Sequence, residues 1–246
     1  MASMPKFLVS VRNVLEAEQA VSGGCDLLDV KEPNHGSLGM AAEHHIFEVA
    51  QFAQENKISV SAALGDYSDW SCRSDRPQFG SCLDFVKLGL AGLGKESNWI
   101  AHWSELLDSF SADEKASPNW VAVIYADWNQ ANAPEPQAIL TAAVKYGCAG
   151  ILIDTWSKES KTLFDFLPES EIESIGSRAH SAGLFLALAG GIHLRQLPQI
   201  VGLEPDIIAV RSAACEDHDR TTAVSAQKVR GFRKELDRVC GLLSVK

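Results

Sequence analysis

Three lysines and two aspartates stand where short apolar runs end. Lys31 closes Leu27-Leu28-Asp29-Val30-Lys31, and Lys87 lies within Phe85-Val86-Lys87-Leu88-Gly89. Lys158 follows the carboxylate of Ile151-Leu152-Ile153-Asp154 by four residues. An ammonium is rarely buried unless it is paired or used, so a strand that ends in lysine aims its amine at solvent or into a site. Amines beside carboxylates suit carbonyl chemistry through a Schiff base. The nucleophile must first lose its proton, which desolvation and a neighbouring ammonium favour and a nearby carboxylate opposes. Asp29 or Asp154 could then move protons during dehydration of the carbinolamine and formation of the enamine. Taken singly, a strand-end lysine is ordinarily solvated, and an aspartate there ordinarily caps the next helix.

The elements that must position these groups recur along the chain. Strand-like runs fall at Phe7–Val11, Leu27–Lys31, Ile58–Leu64, Phe85–Leu90, Val121–Ala126, Gly150–Trp156, Phe185–Ala189 and Ile207–Arg211. Segments with helical spacing lie between most of them, for example Val14–Val21 before Gly23-Gly24, and Ala138–Val144. Apolar, β-branched runs alternating with helices predict parallel strands covered on both faces. The fold class is α/β, a closed (β/α)8 barrel of the TIM type, with 1–246 as a single catalytic domain and an open doubly wound sheet as the alternative. The stretch from Gly65 to Cys82 predicts a short or displaced third helix and a long polar loop.

Side chains alternate along a strand, so Leu27, Asp29 and Lys31 share one face. The same rule groups Phe85, Lys87 and Gly89; Leu152, Asp154 and Trp156; and Val121, Val123, Tyr125 and Asp127. If those faces point inward, lysine and aspartate crowd the C-terminal mouth, where barrel enzymes carry their chemistry. A phosphate cradle is expected beside them. The seventh strand runs into Gly190-Gly191 and the eighth into Arg211-Ser212-Ala213, where backbone N–H groups and a guanidinium can meet an anion. Gly-Gly also simply makes a turn. Gly36-Ser37-Leu38-Gly39 is a second, weaker anion candidate, and Trp128 and Trp156 lie where they could wall a pocket or pack at its rim.

The 246 residues carry a net charge of −10, which argues against affinity for nucleic acid or an anionic membrane as a whole. Six scattered cysteines without a C-x-x-C pair suggest neither a zinc site nor a disulfide framework. The histidines lack ligand spacing and no nucleotide motif is present, so no metal or other cofactor is expected. The N-terminal apolar segment is too short for a signal-peptide core, which predicts a cytoplasmic protein.

Several of these strings together are specific. Asp29-Val30-Lys31-Glu32-Pro33, Gly36-Ser37-Leu38-Gly39, Val86-Lys87-Leu88-Gly89-Leu90, Asp154-Thr155 with Lys158, Leu188-Ala189-Gly190 and Val210-Arg211-Ser212-Ala213-Ala214-Cys215 occur in order across nearly the whole chain. In this the sequence resembles the (5-formylfuran-3-yl)methyl phosphate synthases of methanofuran biosynthesis. The resemblance implies a carbon–oxygen lyase acting on phosphates, which joins two glyceraldehyde 3-phosphate molecules into a phosphorylated furan aldehyde with loss of phosphate and water. It implies that Lys31 forms the Schiff base, that Lys87 accepts a proton, and that Asp29, Asp154 and Lys158 assist. The expected partner is a phosphorylated triose, with no nucleic acid and no membrane; a homo-oligomer is left open. The segments Asp66–Cys82 and Asp127-Trp128-Asn129-Gln130 match the family only loosely.

Other readings share some residues. Asp29-Val30-Lys31 also fits the start of the D-x-K-x-x-D triad of orotidine-phosphate-type decarboxylases, but the last position is Asn34. A class I aldolase would use the same imine and yield a sugar phosphate. A barrel without turnover would bind phosphate ligands and have no need of buried amines beside carboxylates.

Overall fold

The computed structural model describes residues 4–79, 81–110, 118–157 and 161–243. Eight strands close into a barrel in chain order: Lys6–Val11 (β1), Leu27–Val30 (β2), Ser59–Asp66 (β3), Phe85–Gly89 (β4), Trp120–Tyr125 (β5), Gly150–Asp154 (β6), Phe185–Leu188 (β7) and Ile207–Val210 (β8). Every pairing is parallel, and β8 pairs with β1 through Phe7↔Ile208 and Val9↔Val210. Helices follow the strands: Val14–Gly23 (α1), Glu43–Asn56 (α2), Tyr67–Trp70 (α3), Trp99–Ser109 (α4), Pro136–Lys145 (α5), Glu169–Ser181 (α6), Leu197–Gly202 (α7) and Ala226–Leu243 (α8). The closed barrel excludes the open sheet. No helix among the described residues is long and apolar enough to cross a membrane.

Alternation along the strands divides the apolar residues into two cores. Leu8, Leu27, Val121, Val123, Leu152 and Ile207 fill the barrel. Their neighbours Phe7, Val9, Leu28, Val30, Val86 and Ile153 face the helices. Strands buried on both faces need the near-continuous apolar runs the chain supplies. Phe7 stacks on Phe232 of α8 with ring centroids 4.8 Å apart. Burying each such ring contributes about 1.5–3 kcal/mol. A Cβ on Gly23 would overlap that of Val229, so α1 and α8 approach closely only because that position is glycine.

The N-terminal end of the barrel is plugged. Phe85 and Phe185, the first residues of β4 and β7, meet edge to face at 5.2 Å. A side chain on Gly150 would collide with the Phe185 ring. This apolar floor lies below the polar groups of β2 and β4, so access to them is from the C-terminal mouth.

The third helix is reduced to Tyr67–Trp70, as the composition after Gly65 suggests. The register of β3 against β4 shifts between Ala63 and Asp66, and Gly65 adopts φ +82° there. Arg73 and Arg76 cover the Trp70 ring at 4.6 and 5.3 Å, which folds the polar loop against the outside of the barrel.

Candidate active site

Strand β2 delivers its carboxylate into the barrel, and β1, β3 and β4 surround it. Asp29 accepts hydrogen bonds from the Ser10 hydroxyl at 3.1 Å and the Ser61 hydroxyl at 2.7 Å. The Lys87 ammonium lies 2.7 Å from Asp29 Oδ1, and both side chains are nearly inaccessible. Register explains the convergence: Ser10 and Ser61 are the direct neighbours of Asp29 on the flanking strands. Beneath Lys87 lies only a small apolar chamber of about 20 Å³, so Asp29 is the charge that compensates this buried cation. Lys31 follows β2, its backbone N–H still held by Val11 O at 2.9 Å, and its side chain is buried.

Asp154 ends β6 opposite Tyr125. It accepts from the Thr155 N–H at 2.8 Å and from the Ser37 hydroxyl at 3.1 Å, while the same hydroxyl lies 2.8 Å from Thr155 O. Ser37 thus ties the loop after β2 to the end of β6. The Gly36–Gly39 segment, expected as a second anion cradle, is such a bridge: Gly39 packs so closely on Glu32 and His35 that a Cβ would clash.

Asp29, Lys31, Lys87 and Asp154 line one cavity of about 290 Å³ at the C-terminal mouth. Its far wall is Gly190, Gly191, Arg211 and Ser212. Gly190 and Gly191 have φ of +98° and +64°, and a Cβ on Gly190 would lie 2.9 Å from Thr155 Cγ2. The turn therefore needs glycine for conformation and for close approach. Ala213 is buried and faces the neighbouring hollow beside α8. Lys158 lies outside the described residues. None of residues 66–79 lines the cavity.

Several inward assignments change. Trp156 lies beyond the end of β6 and is 41% exposed. Asp127 lies past β5 and accepts the Trp156 and Ser157 N–H groups at 2.6 and 2.7 Å, so it fixes the loop after β6. Trp128, half-buried, packs against the barrel's inner core. Asn34 is exposed and donates to Glu32 at 2.8 Å, away from the cavity. The third member of a decarboxylase triad is thus absent in type and in place.

Arg211 is present at the expected wall, but its donors are spent. Nε donates to Arg220 O, Nη1 to Ser10 O and Glu16, and Nη2 to Thr222 O and Glu16. A guanidinium has five N–H groups, and these five bonds use them all. Burial alone would raise the Glu16 carboxyl. The hydrogen bonds and charge of Arg211, with those of Arg12, outweigh it and hold the group below its ordinary value. Glu16→Ala leaves a buried guanidinium uncompensated and is expected to cost about 3–5 kcal/mol in denaturant unfolding. Because the folded-state value is depressed, this contribution is complete above the unfolded value of 4.5 and is lost as pH falls through the folded one.

A second polar pair joins the ends of β3 and β5. Tyr125 donates to Asp66 at 2.8 Å, and Gly89 makes the room, since a Cβ there would overlap both groups. Burial pushes the Asp66 carboxyl up against the pull of its hydrogen bonds, and burial followed by the Asp66 charge pushes the Tyr125 phenol well up. No group of three or more His, Cys, Asp or Glu side chains among the described residues is placed to hold a metal.

The 4-HFC-P synthase family model matches residues 7–233. The chain belongs to the 4-HFC-P synthase family. It is 34% identical to the (5-formylfuran-3-yl)methyl phosphate synthase of Methanopyrus kandleri, over 94% of this chain and 99% of that protein. It is 32% identical to the enzyme of that name from Methanocaldococcus jannaschii, over 95% and 98%. Among solved structures, it resembles 3-hexulose-6-phosphate synthase from Salmonella typhimurium, with TM-score 0.59, 13% identity and coverage of 95% and 99%. It also resembles thiamine phosphate pyrophosphorylase from Pyrococcus furiosus, with TM-score 0.57, 16% identity and 96% of each chain. Those two likenesses concern the fold. Membership of a synthase family makes the chain an enzyme.

Proposed function

We propose that this chain is a lyase that condenses two glyceraldehyde 3-phosphate molecules into (5-formylfuran-3-yl)methyl phosphate, with loss of phosphate and water. The observation that carries this reading is the buried Lys87–Asp29 pair opening into the same cavity as Lys31 and Asp154. Lys31 forms an imine with the aldehyde of the first triose and so acidifies the adjacent C–H. Lys87, with Asp29 as a partner able to exchange a proton, accepts that proton and leaves an enamine. The enamine carbon attacks the second aldehyde. Asp154, with Lys158, assists proton transfer as water and phosphate depart, and closure of the ring onto the imine carbon expels the Lys31 amine. The glycine turn at 190–191 and the start of the segment after β8 receive phosphate. The partner is thus a phosphorylated triose, and the setting is biosynthesis of a methanofuran-type cofactor.

Incubation of the purified protein with glyceraldehyde 3-phosphate tests the reaction. A near-ultraviolet chromophore, a product mass matching the furan aldehyde phosphate, and released inorganic phosphate are expected. A sugar phosphate without the chromophore would make the chain an aldolase instead.

A further inference from the structure

We propose that Arg220, rather than Arg211, is the cation that binds the substrate phosphate, and that the Glu16–Arg211 pair serves to position it. This rests on the reading of the cavity as a site for a phosphorylated triose. The two arginines lie in the same wall but differ in what remains of their charge and donors. Arg211 is 7% exposed and neutralised by Glu16, with every N–H engaged. A phosphate could reach it only by displacing a carboxylate or a backbone carbonyl.

Arg220 also lines the cavity, and among the described residues no carboxylate forms an ion pair with it. Among the described residues its guanidinium makes one hydrogen bond, from Nη2 to Gly36 O at 2.7 Å, which leaves most of its fork available. It is half-buried, and the cost of that burial outweighs the attraction of Asp154, Glu32 and Asp219, none of which forms an ion pair with it. A phosphate dianion supplies a counter-charge in bidentate geometry. The lysines of the cavity have other tasks: Lys31 carries the imine in the reading above, Lys87 pairs with Asp29, and Lys161 lies over the face of Phe166 at 5.2 Å.

The same contacts explain why Arg211 is buried where it is. Two of its bonds go to the carbonyls of Arg220 and Thr222, so the Glu16–Arg211 pair clamps the backbone that carries Arg220. The bond from Arg220 to Gly36 then draws this segment toward the loop after β2, above Lys31 and Asp154. Arg211 acts on the anion through Arg220.

The test is a titration with inorganic phosphate, followed by calorimetry and 31P NMR, on the full chain and its variants. Arg220→Gln is expected to weaken phosphate binding at least about tenfold, and Arg220→Lys less, because it keeps the charge and loses the fork. Arg195→Gln, in the neighbouring hollow, serves as the control and should bind as the unaltered protein does. Arg211→Lys is expected to weaken binding in the unaltered background and to add nothing in the Arg220→Gln background, a non-additivity that a purely structural role would not produce. In turnover, Arg220→Gln should raise KM for the phosphorylated triose, and reductive trapping of unphosphorylated glyceraldehyde on Lys31 should be unchanged. Phosphate affinity unchanged in Arg220→Gln, or no phosphate binding by the unaltered protein, would overturn the assignment. Loss of phosphate binding in Arg220→Gln in a chain that makes no furan would uphold this anion site and reject the lyase reading.

Discussion

Replacing Lys31 with alanine is expected to remove turnover, lowering kcat by about 10⁴-fold or more, while the protein stays folded. The chemical reason is that no other group can substitute for the covalent electron sink: without the imine, the triose C–H is not acidic enough for a lysine or aspartate to deprotonate. The structural reason is that the Lys31 side chain lies beyond the last residue of β2, and its backbone N–H to Val11 O does not depend on side-chain type. Steady-state kinetics with glyceraldehyde 3-phosphate, paired with far-ultraviolet circular dichroism, separates the two effects. Near-normal rates in a folded Lys31→Ala protein would remove Lys31 from the chemistry.

Lys87→Ala is expected to lower kcat by about 10²–10⁴-fold, the range for loss of a positioned acid or base. Imine formation should survive, because Lys31 is unchanged. The variant therefore accumulates the first covalent complex, where Lys31→Ala forms none. Stability should fall as well. Asp29 keeps its hydroxyl donors Ser10 and Ser61 but loses its buried counter-charge, at a cost of about 3–5 kcal/mol. Intact-mass analysis after reductive trapping reports the first effect, and denaturant unfolding the second. Turnover at the normal rate would show that the Lys87–Asp29 pair is a structural ion pair only.

Strand periodicity made much of this arrangement readable in the sequence. The rule that places Leu27 in the barrel also places Asp29 there, and Leu152 does the same for Asp154. The rule fails where strands end: Trp156 and Asp127 lie beyond Asp154 and Tyr125, and alternation has no meaning once the chain turns. Ser10 and Ser61 were legible in principle, as hydroxyls at inward positions of otherwise apolar runs, and only barrel closure shows that they converge on Asp29. The two arginines carry the opposite lesson. Arg211 adjoins a strand end and so attracts notice, yet Glu16, 195 positions earlier, takes its charge. Arg220 sits in an irregular segment with no periodicity, and only the cavity reveals it.

Borohydride reduction in the presence of glyceraldehyde 3-phosphate, followed by peptide mass mapping, reads covalent capture by Lys31 itself. One stable triose phosphate adduct is expected, on the peptide containing Lys31, in the unaltered protein and in Lys87→Ala, and none in Lys31→Ala. Complete turnover without a trapped adduct, or an adduct carried on Lys87 or Lys158 instead, would contradict it.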